Sequence, residues 1–272
     1  MNNPIKLIAF DLDGTVLNSE KKITERTLAA IHNAFSAGIY IIPATGRQFH
    51  EIPQPVKDIP PPFIIANNGV QVYKMPEKNL ELSKQLETSA ALSLLHELRN
   101  FKGMIFGAYD TIGAFDSKGR GFEEGITGRI RAANAWANYP LADIESLIRD
   151  GKRFVKLVMI FEDLSERRRA LDAFLLRKDF YVTYFADNNI EIMPAGANKG
   201  KALEFVAKKL GIDMKNVMAL GDSDNDKDMI LEAGLGVAMG NAAEELKAVA
   251  DEITLDCEQD GAALAIEKAL AF

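Results

Sequence analysis

Two apolar runs in this chain each end in a knot of acids, and that repetition narrows the possible folds more than any other feature. Ile5-Lys6-Leu7-Ile8-Ala9-Phe10 leads into Asp11-Leu12-Asp13-Gly14-Thr15, and Val217-Met218-Ala219-Leu220 leads into Gly221-Asp222-Ser223-Asp224-Asn225-Asp226. Short runs of this kind read as strands buried on both faces, as in parallel sheets. Carboxylates at the end of a buried strand are costly to hold, because burial penalises charge and neighbouring acids repel, and a cation relieves both. Two such clusters brought together make a hard oxygen site of the type magnesium uses. That combination points to phosphoryl transfer.

Around these segments strand and helix alternate. Residues 24–37 carry Leu28, Ile31 and Phe35 at helical spacing, and Gly38 suits the stop. Residues 39–44 predict a second strand ending in Thr45-Gly46-Arg47, and residues 63–66 a third, followed by the tight-turn signal Asn67-Asn68-Gly69. Later come helix 200–210 with Gly211 as its stop, strand 217–220, helix 226–233, strand 236–239 and helices 243–250 and 262–270. Alternation with short links is the α/β class, a parallel sheet covered on both faces.

The middle breaks this rhythm. It predicts helix 89–99, strands 104–109 and 112–115 joined at Asp110-Thr111 as an antiparallel pair, helix 121–137, strand 154–161, helix 165–178 and strand 181–186. The expectation is an inserted α+β domain over residues 82–187, a core made of 1–81 and 188–272, and hinges at 73–81 and 187–190.

A chain of 272 residues, 47% hydrophobic, suffices for a core domain with a smaller second one. A net charge of −7 argues against a phosphate-backbone binder, so no nucleic-acid partner is expected. Cys257 is the only cysteine, which excludes a disulfide framework and a cysteine zinc site. The first residues lack the basic start and cleavage site of a signal peptide, and no apolar run approaches a membrane span. The expectation is a soluble cytoplasmic protein.

The acids admit specific roles. Asp11, first after its strand, can attack phosphorus and carry an aspartyl phosphate, while Asp13 gives a proton to the leaving alcohol and takes one from water. The plain alternative is an Asp-Gly surface turn. Asp222 ends its strand and can bind the metal; Asp226, one helical turn on, can support metal-bound water, and Asn225 can offer its amide to a phosphate oxygen. An acidic helix cap without metal explains one or two of these acids, but poorly the run Asp222, Asp224, Asp226 and Asp228. Thr45 and Gly46 can supply a hydroxyl and N–H groups to phosphate, or merely cap the next turn. Arg47 can reach substrate or cap a neighbouring loop. Lys199 opens a helix, an unfavourable place for a cation, so an acidic partner is expected there, where its charge would offset phosphate and nucleophile. Arg129, Arg131, Lys152, Arg153 and Lys156 read as solvated surface, although they can reach an anionic substrate.

Taken together, the four segments resemble the four motifs of the haloacid-dehalogenase-like (HAD) superfamily. Asp11-Leu12-Asp13-Gly14-Thr15 matches the nucleophile motif, Thr45-Gly46-Arg47 the second, Lys199 the third and Gly221-Asp222-Ser223-Asp224-Asn225-Asp226 the fourth, in the right order. The insert between the second and third motifs, Asn68-Gly69, and Ala238-Met239-Gly240-Asn241-Ala242 resemble the Cof-like subclass with its large α/β cap. The resemblance implies a Rossmann-like core, magnesium (Mg2+) as cofactor and hydrolysis of phosphate monoesters, commonly sugar phosphates, with a small phosphorylated metabolite as partner. It implies metal ligation by Asp11, Asp13 through its backbone carbonyl, and Asp222. It implies phosphate binding by Leu12 N–H, Thr45, Gly46, Lys199 and Asn225. A phosphomutase and a non-catalytic binding protein on the same fold are the competing expectations; the second predicts damage at Asp11, Asp13, Lys199 or Asp222, and all four are intact. A generic nucleotide-binding domain expects a glycine-rich loop where this chain has Asp11.

Overall fold

The computed structural model describes residues 4–109, 112–116, 143–184 and 186–271. The chain divides into two compact units, Met1–Leu82 with Asn198–Phe272, and Ser83–Ala197.

The first unit is built on a five-stranded parallel sheet. In spatial order its strands are Glu252–Ile253, Leu235–Ala238, Val217–Gly221, Leu7–Phe10 and Tyr40–Pro43. Leu7, Ile8, Ala9 and Phe10 are wholly buried, as a continuous apolar strand covered on both faces must be. Each fully buried Leu, Ile or Phe here contributes about 1.5–3 kcal/mol. Phe10 lies in register with Leu220, and the Asp11 N–H donates to the Leu220 carbonyl at 3.0 Å. On the other side the Ala44 N–H donates to the Phe10 carbonyl at 2.8 Å. Parallel pairing in this register puts the ends of three strands, and the loops that follow them, side by side.

Helices Glu25–Ser36, Lys199–Leu210, Lys227–Glu232 and Gly261–Leu270 bury their apolar residues in the same core, among them Ile31, Leu203, Val206 and Ile266. Gly211 ends helix Lys199–Leu210 with φ +70°, the left-handed stop that its position predicts.

A three-stranded sheet, Phe63–Ala66, Gln71–Lys74 and Asn79–Ser83, adjoins through an Ala44–Ile65 bridge. The expected hinge at 73–81 is therefore mostly strand. Pro76 sits in the turn between two of its strands. The expected turn at Asn67-Asn68-Gly69 is present, with φ of 50°, 55° and 86° at its three residues.

The second unit is an antiparallel sheet in the order Ile112–Asp116, Met104–Tyr109, Lys156–Ile160, Asn189–Pro194, Phe180–Thr183. Helices Thr88–Leu98, Ile144–Arg149 and Leu164–Phe174 pack with Ile105, Leu157, Met159, Ile190 and Ile192 in a core of its own. The expected second hinge at 187–190 is corrected. Asn189–Pro194 is a central strand of this sheet, so the unit continues to Ala197. The Asp187-Asn188-Asn189 run looks like a linker, yet Asn189 is buried and its side-chain carbonyl accepts from the Ala186 N–H at 2.9 Å. The predicted helix 121–137, with Arg129 and Arg131, and the Asp110-Thr111 turn lie outside the described residues. Among the described residues no helix is long and apolar enough to cross a membrane.

Candidate active site

Lys199 organises the floor of the site. Asn198 caps the helix that Lys199 begins, its side chain accepting from the Lys201 N–H at 2.7 Å. Lys199 itself is 0% exposed, and its Nζ donates to Asp11 Oδ1 at 2.7 Å and Asp226 Oδ1 at 2.6 Å. The acidic partner expected for this cation is thus a pair of acids from two different loops. Asp226 uses its other oxygen to accept from the backbone N–H groups of Asp222 (2.9 Å) and Ser223 (3.0 Å), which fixes the turn after the strand.

Asp11, Asp222 and Asp226 each place a carboxylate oxygen within 4.8 Å of the others. Thr15 donates its hydroxyl to Asp222 Oδ1 at 3.4 Å. Gly14 holds φ +78°, and a Cβ there would lie 2.3 Å from Asp222 Oδ2, so only glycine lets the two loops close up. Asn241 spans them with its amide, donating to the Gly14 carbonyl at 2.9 Å. Burial, then the charges of Asp226 and Asp222, hold the Asp11 carboxyl well above its ordinary value against the pull of Lys199. Burial and Asp226 likewise raise Asp222 to about 7. Burial disfavours the Lys199 ammonium, but Asp11 and Asp226 outweigh it and raise its pKa overall.

Asp13 is treated differently. Its carboxylate lies outside the three-acid group and is gripped by the Arg47 fork, Nε to Oδ2 and Nη2 to Oδ1, both at 2.6 Å. Lys21 Nζ adds a contact to Oδ1 at 2.9 Å. Burial alone would raise this carboxyl; the Arg47 and Lys21 hydrogen bonds and charges win and bring it to about 2. Arg47 also donates through Nη1 to the Glu51 carbonyl at 3.1 Å. Nothing in the sequence around Lys21 signals its contact with Asp13.

The remaining predicted residues converge on the same end of the sheet. Thr45 is buried and its Oγ1 accepts from the Arg47 N–H at 3.1 Å. Asn225 is buried and donates through Nδ2 to Asn68 Oδ1 at 3.0 Å. The Leu12 side chain is buried, and its carbonyl accepts from the N–H groups of Leu17 (2.8 Å) and Thr15 (3.3 Å), which closes the loop after the first strand. In the second unit, Lys156 is not solvated as its sequence context suggests: it is buried, with Nζ 2.7 Å from Glu191 Oε1.

The three-acid group fits a divalent metal. Three carboxylates, two buried and one (Asp222) partly buried, against one ammonium leave an excess of negative charge, and the donors are all oxygen, the set a hard cation takes.

Residues 8–266 match the haloacid dehalogenase-like hydrolase family model. The chain is 35% identical to the 5-amino-6-(5-phospho-D-ribitylamino)uracil phosphatase YcsE of Bacillus subtilis (strain 168), over 96% of this chain and 94% of that protein. It is 31% identical to the HMP-PP phosphatase of Cronobacter sakazakii (strain ATCC BAA-894), covering 89% and 87% of the two chains. The solved structure of a haloacid dehalogenase-like hydrolase from B. subtilis superposes with a TM-score of 0.82 at 27% identity, covering 97% of this chain and 99% of that one. The chain belongs to the haloacid dehalogenase-like hydrolases, Cof-like in its motifs. Within that family it is a phosphatase, a hydrolase of phosphate monoesters.

Proposed function

We propose that this protein is a magnesium-dependent phosphatase of small sugar or sugar-alcohol phosphates, working through an aspartyl phosphate on Asp11. The observation that carries the proposal is the buried Lys199 bridge between Asp11 and Asp226 beside Asp222. A carboxylate so placed is fixed for in-line attack, and a cation is built in to offset the charge that the phosphoryl group brings. Asp11 and Asp222, with the Asp13 carbonyl, hold the metal, and Asp226 holds the charge and geometry behind them. Magnesium, when bound, screens the repulsion between the nucleophile and the phosphate oxygens. Thr45, Gly46, the Leu12 N–H, Asn225 and Lys199 bind the phosphoryl oxygens, and Arg47 flanks them.

Asp11 Oδ forms the bond to phosphorus as the bond to the leaving oxygen breaks, and that oxygen takes a proton from Asp13. Water then attacks phosphorus, gives its proton to Asp13 and releases phosphate and the free Asp11 carboxylate. To carry a proton, Asp13 has to leave the Arg47 fork, which otherwise keeps it ionised. The ribityl phosphate in the name of the 35% identical relative supports a polyol phosphate as substrate.

The deciding experiment is a turnover screen over phosphorylated metabolites, with and without chelation and with each metal restored. Hydrolysis of sugar or polyol phosphates that is lost on chelation and restored by magnesium is expected. Full activity in a metal-free sample, or no hydrolysis of any such ester, overturns the proposal.

A further inference from the structure

We infer that Asn68 is a positioning residue of the phosphate cradle, orienting the Asn225 amide so that its second Nδ2–H points to the phosphoryl group. The inference deepens the proposed function and rests on its assignment of Thr45, Gly46 and Asn225 to phosphate.

Asn225 is 4% exposed and Asn68 is 0% exposed. A side-chain amide nitrogen has two hydrogens, and one of those on Asn225 goes to Asn68 Oδ1 at 3.0 Å. The Asn225 Oδ1 has no partner among the described residues. The terminal torsion of asparagine is broad, so the bond from Asn68 is what sets which way this amide faces. Leaving this buried oxygen unpaired is a cost that the fold carries at this position.

Asn68 is itself held from several directions. Asn67, Asn68 and Gly69 form three successive left-handed residues, a conformation costly for residues other than glycine and least so for asparagine. The Asn68 N–H donates to the Thr45 carbonyl at 3.0 Å and the Asn67 N–H to the Arg47 carbonyl at 2.9 Å, which ties this turn to the Thr45–Gly46–Arg47 loop. A Cβ on Gly46 would lie 2.8 Å from Asn68 Oδ1 and 3.5 Å from Asn225 Nδ2. The glycine therefore lets the Asn68 carbonyl lie against the loop backbone while it accepts from Asn225. One side chain thus sets two of the proposed phosphate-binding pieces relative to each other.

The test uses Asn68→Gly, which permits the left-handed turn and removes only the side chain. The expected result is a melting temperature close to the parent's, with inorganic phosphate, titrated calorimetrically in magnesium, binding about tenfold more weakly. Cleavage of an aryl phosphate should lose about tenfold in kcat/KM, the size of one lost hydrogen bond to a charged group. If Asn68 acts through Asn225, the double variant Asn68→Gly/Asn225→Ala loses no more than Asn225→Ala alone. Phosphate affinity and kcat/KM within twofold of the parent, or additive losses in the double variant, overturn the inference. A parent that binds no phosphate overturns this inference and the proposed function together, whereas an active parent with a silent Asn68→Gly removes this inference alone. Should Asn68→Gly not fold, the parent's own Asn225 side-chain amide signals decide. Added phosphate is expected to shift one proton of the pair strongly and leave the other protected; no shift of either overturns the inference.

Discussion

The floor of the site and its rim treat two carboxylates, two residues apart, in opposite ways. Asp11 is buried, shares one ammonium with Asp226, and is held above its ordinary pKa. Asp13 is half exposed, faces Arg47 and Lys21, and is held near 2. The floor has too much negative charge for the cations it contains, while the rim is compensated. An under-compensated floor of oxygen donors is one that a divalent cation would stabilise. A compensated rim needs no further cation.

The contrast breaks most completely at Asp11. Asp11→Asn is expected to abolish turnover and to leave the fold intact, because the amide is nearly isosteric and a poor nucleophile; it also lightens the charge of the floor. Turnover and melting temperature of variant and parent check this, and near-parental activity removes Asp11 as the nucleophile.

Lys199→Ala comes next. Loss of this one charge contact is expected to raise the barrier by about 3 kcal/mol, roughly a hundredfold in rate. Because Lys199 is fully buried between two acids, the variant should also melt lower, and magnesium should recover part of that loss. Turnover within a few-fold of the parent would mean that the ammonium is only structural.

A third test uses pH. Asp222, raised to about 7 from an ordinary 3.8, keeps its proton in the folded state across that interval while the unfolded chain has lost it. Metal-free stability should therefore fall as pH rises from about 4 to about 7. Magnesium displaces that proton, so the rise in melting temperature it produces should be larger at pH 8 than at pH 5. A metal effect independent of pH would separate Asp222 from the metal.

The smallest effect belongs to the rim. Asp13 is lowered to about 2, so its pairing with Arg47 stabilises the fold above about pH 4 and is lost as pH falls toward 2. Arg47→Gln should lower the urea midpoint slightly at pH 5, and that difference should shrink by pH 2.5; for a pair this exposed the effect is small. A difference that stays constant with pH would show that Arg47 acts through packing.

The inserted unit contains none of the four chemical motifs, and we propose that it selects the substrate and leaves the chemistry to the first unit. With Ser83–Ala197 replaced by a short linker, slow cleavage of an aryl phosphate should survive and selectivity among sugar phosphates should collapse. Surviving selectivity would place specificity in the loops of the first unit.

Much of the floor was legible because it is written locally: apolar strand, acids, glycine, in one order. The awkward start of a helix at Lys199 even signalled its acidic partner. The rim was not legible in the same way. Lys21 reaches Asp13 only through the path of a loop, and Asn68 reaches Asn225 across 157 positions. The second hinge is misplaced because the Asp187-Asn188-Asn189 run carries linker composition while strand pairing decides its structure; the first boundary, expected at 81/82, lies within one residue of the Leu82/Ser83 division. Lys156 shows the same limit: a lysine looks solvated until a glutamate on a neighbouring strand makes its burial tolerable.

The strand that bears Asp11 has consequences for how the molecule is made. Leu7–Phe10 is made before the inserted unit, yet one of its two neighbours, Val217–Gly221, is made after it. Until that late segment emerges, an apolar strand has an open edge, and closing it requires a long, slow loop. The two acids that share Lys199 are made well apart in time, Asp11 before and Asp226 after the whole inserted unit. A nascent or truncated chain that stops before Asp226 holds Asp11 but not the three-acid group, which assembles only when the first unit folds.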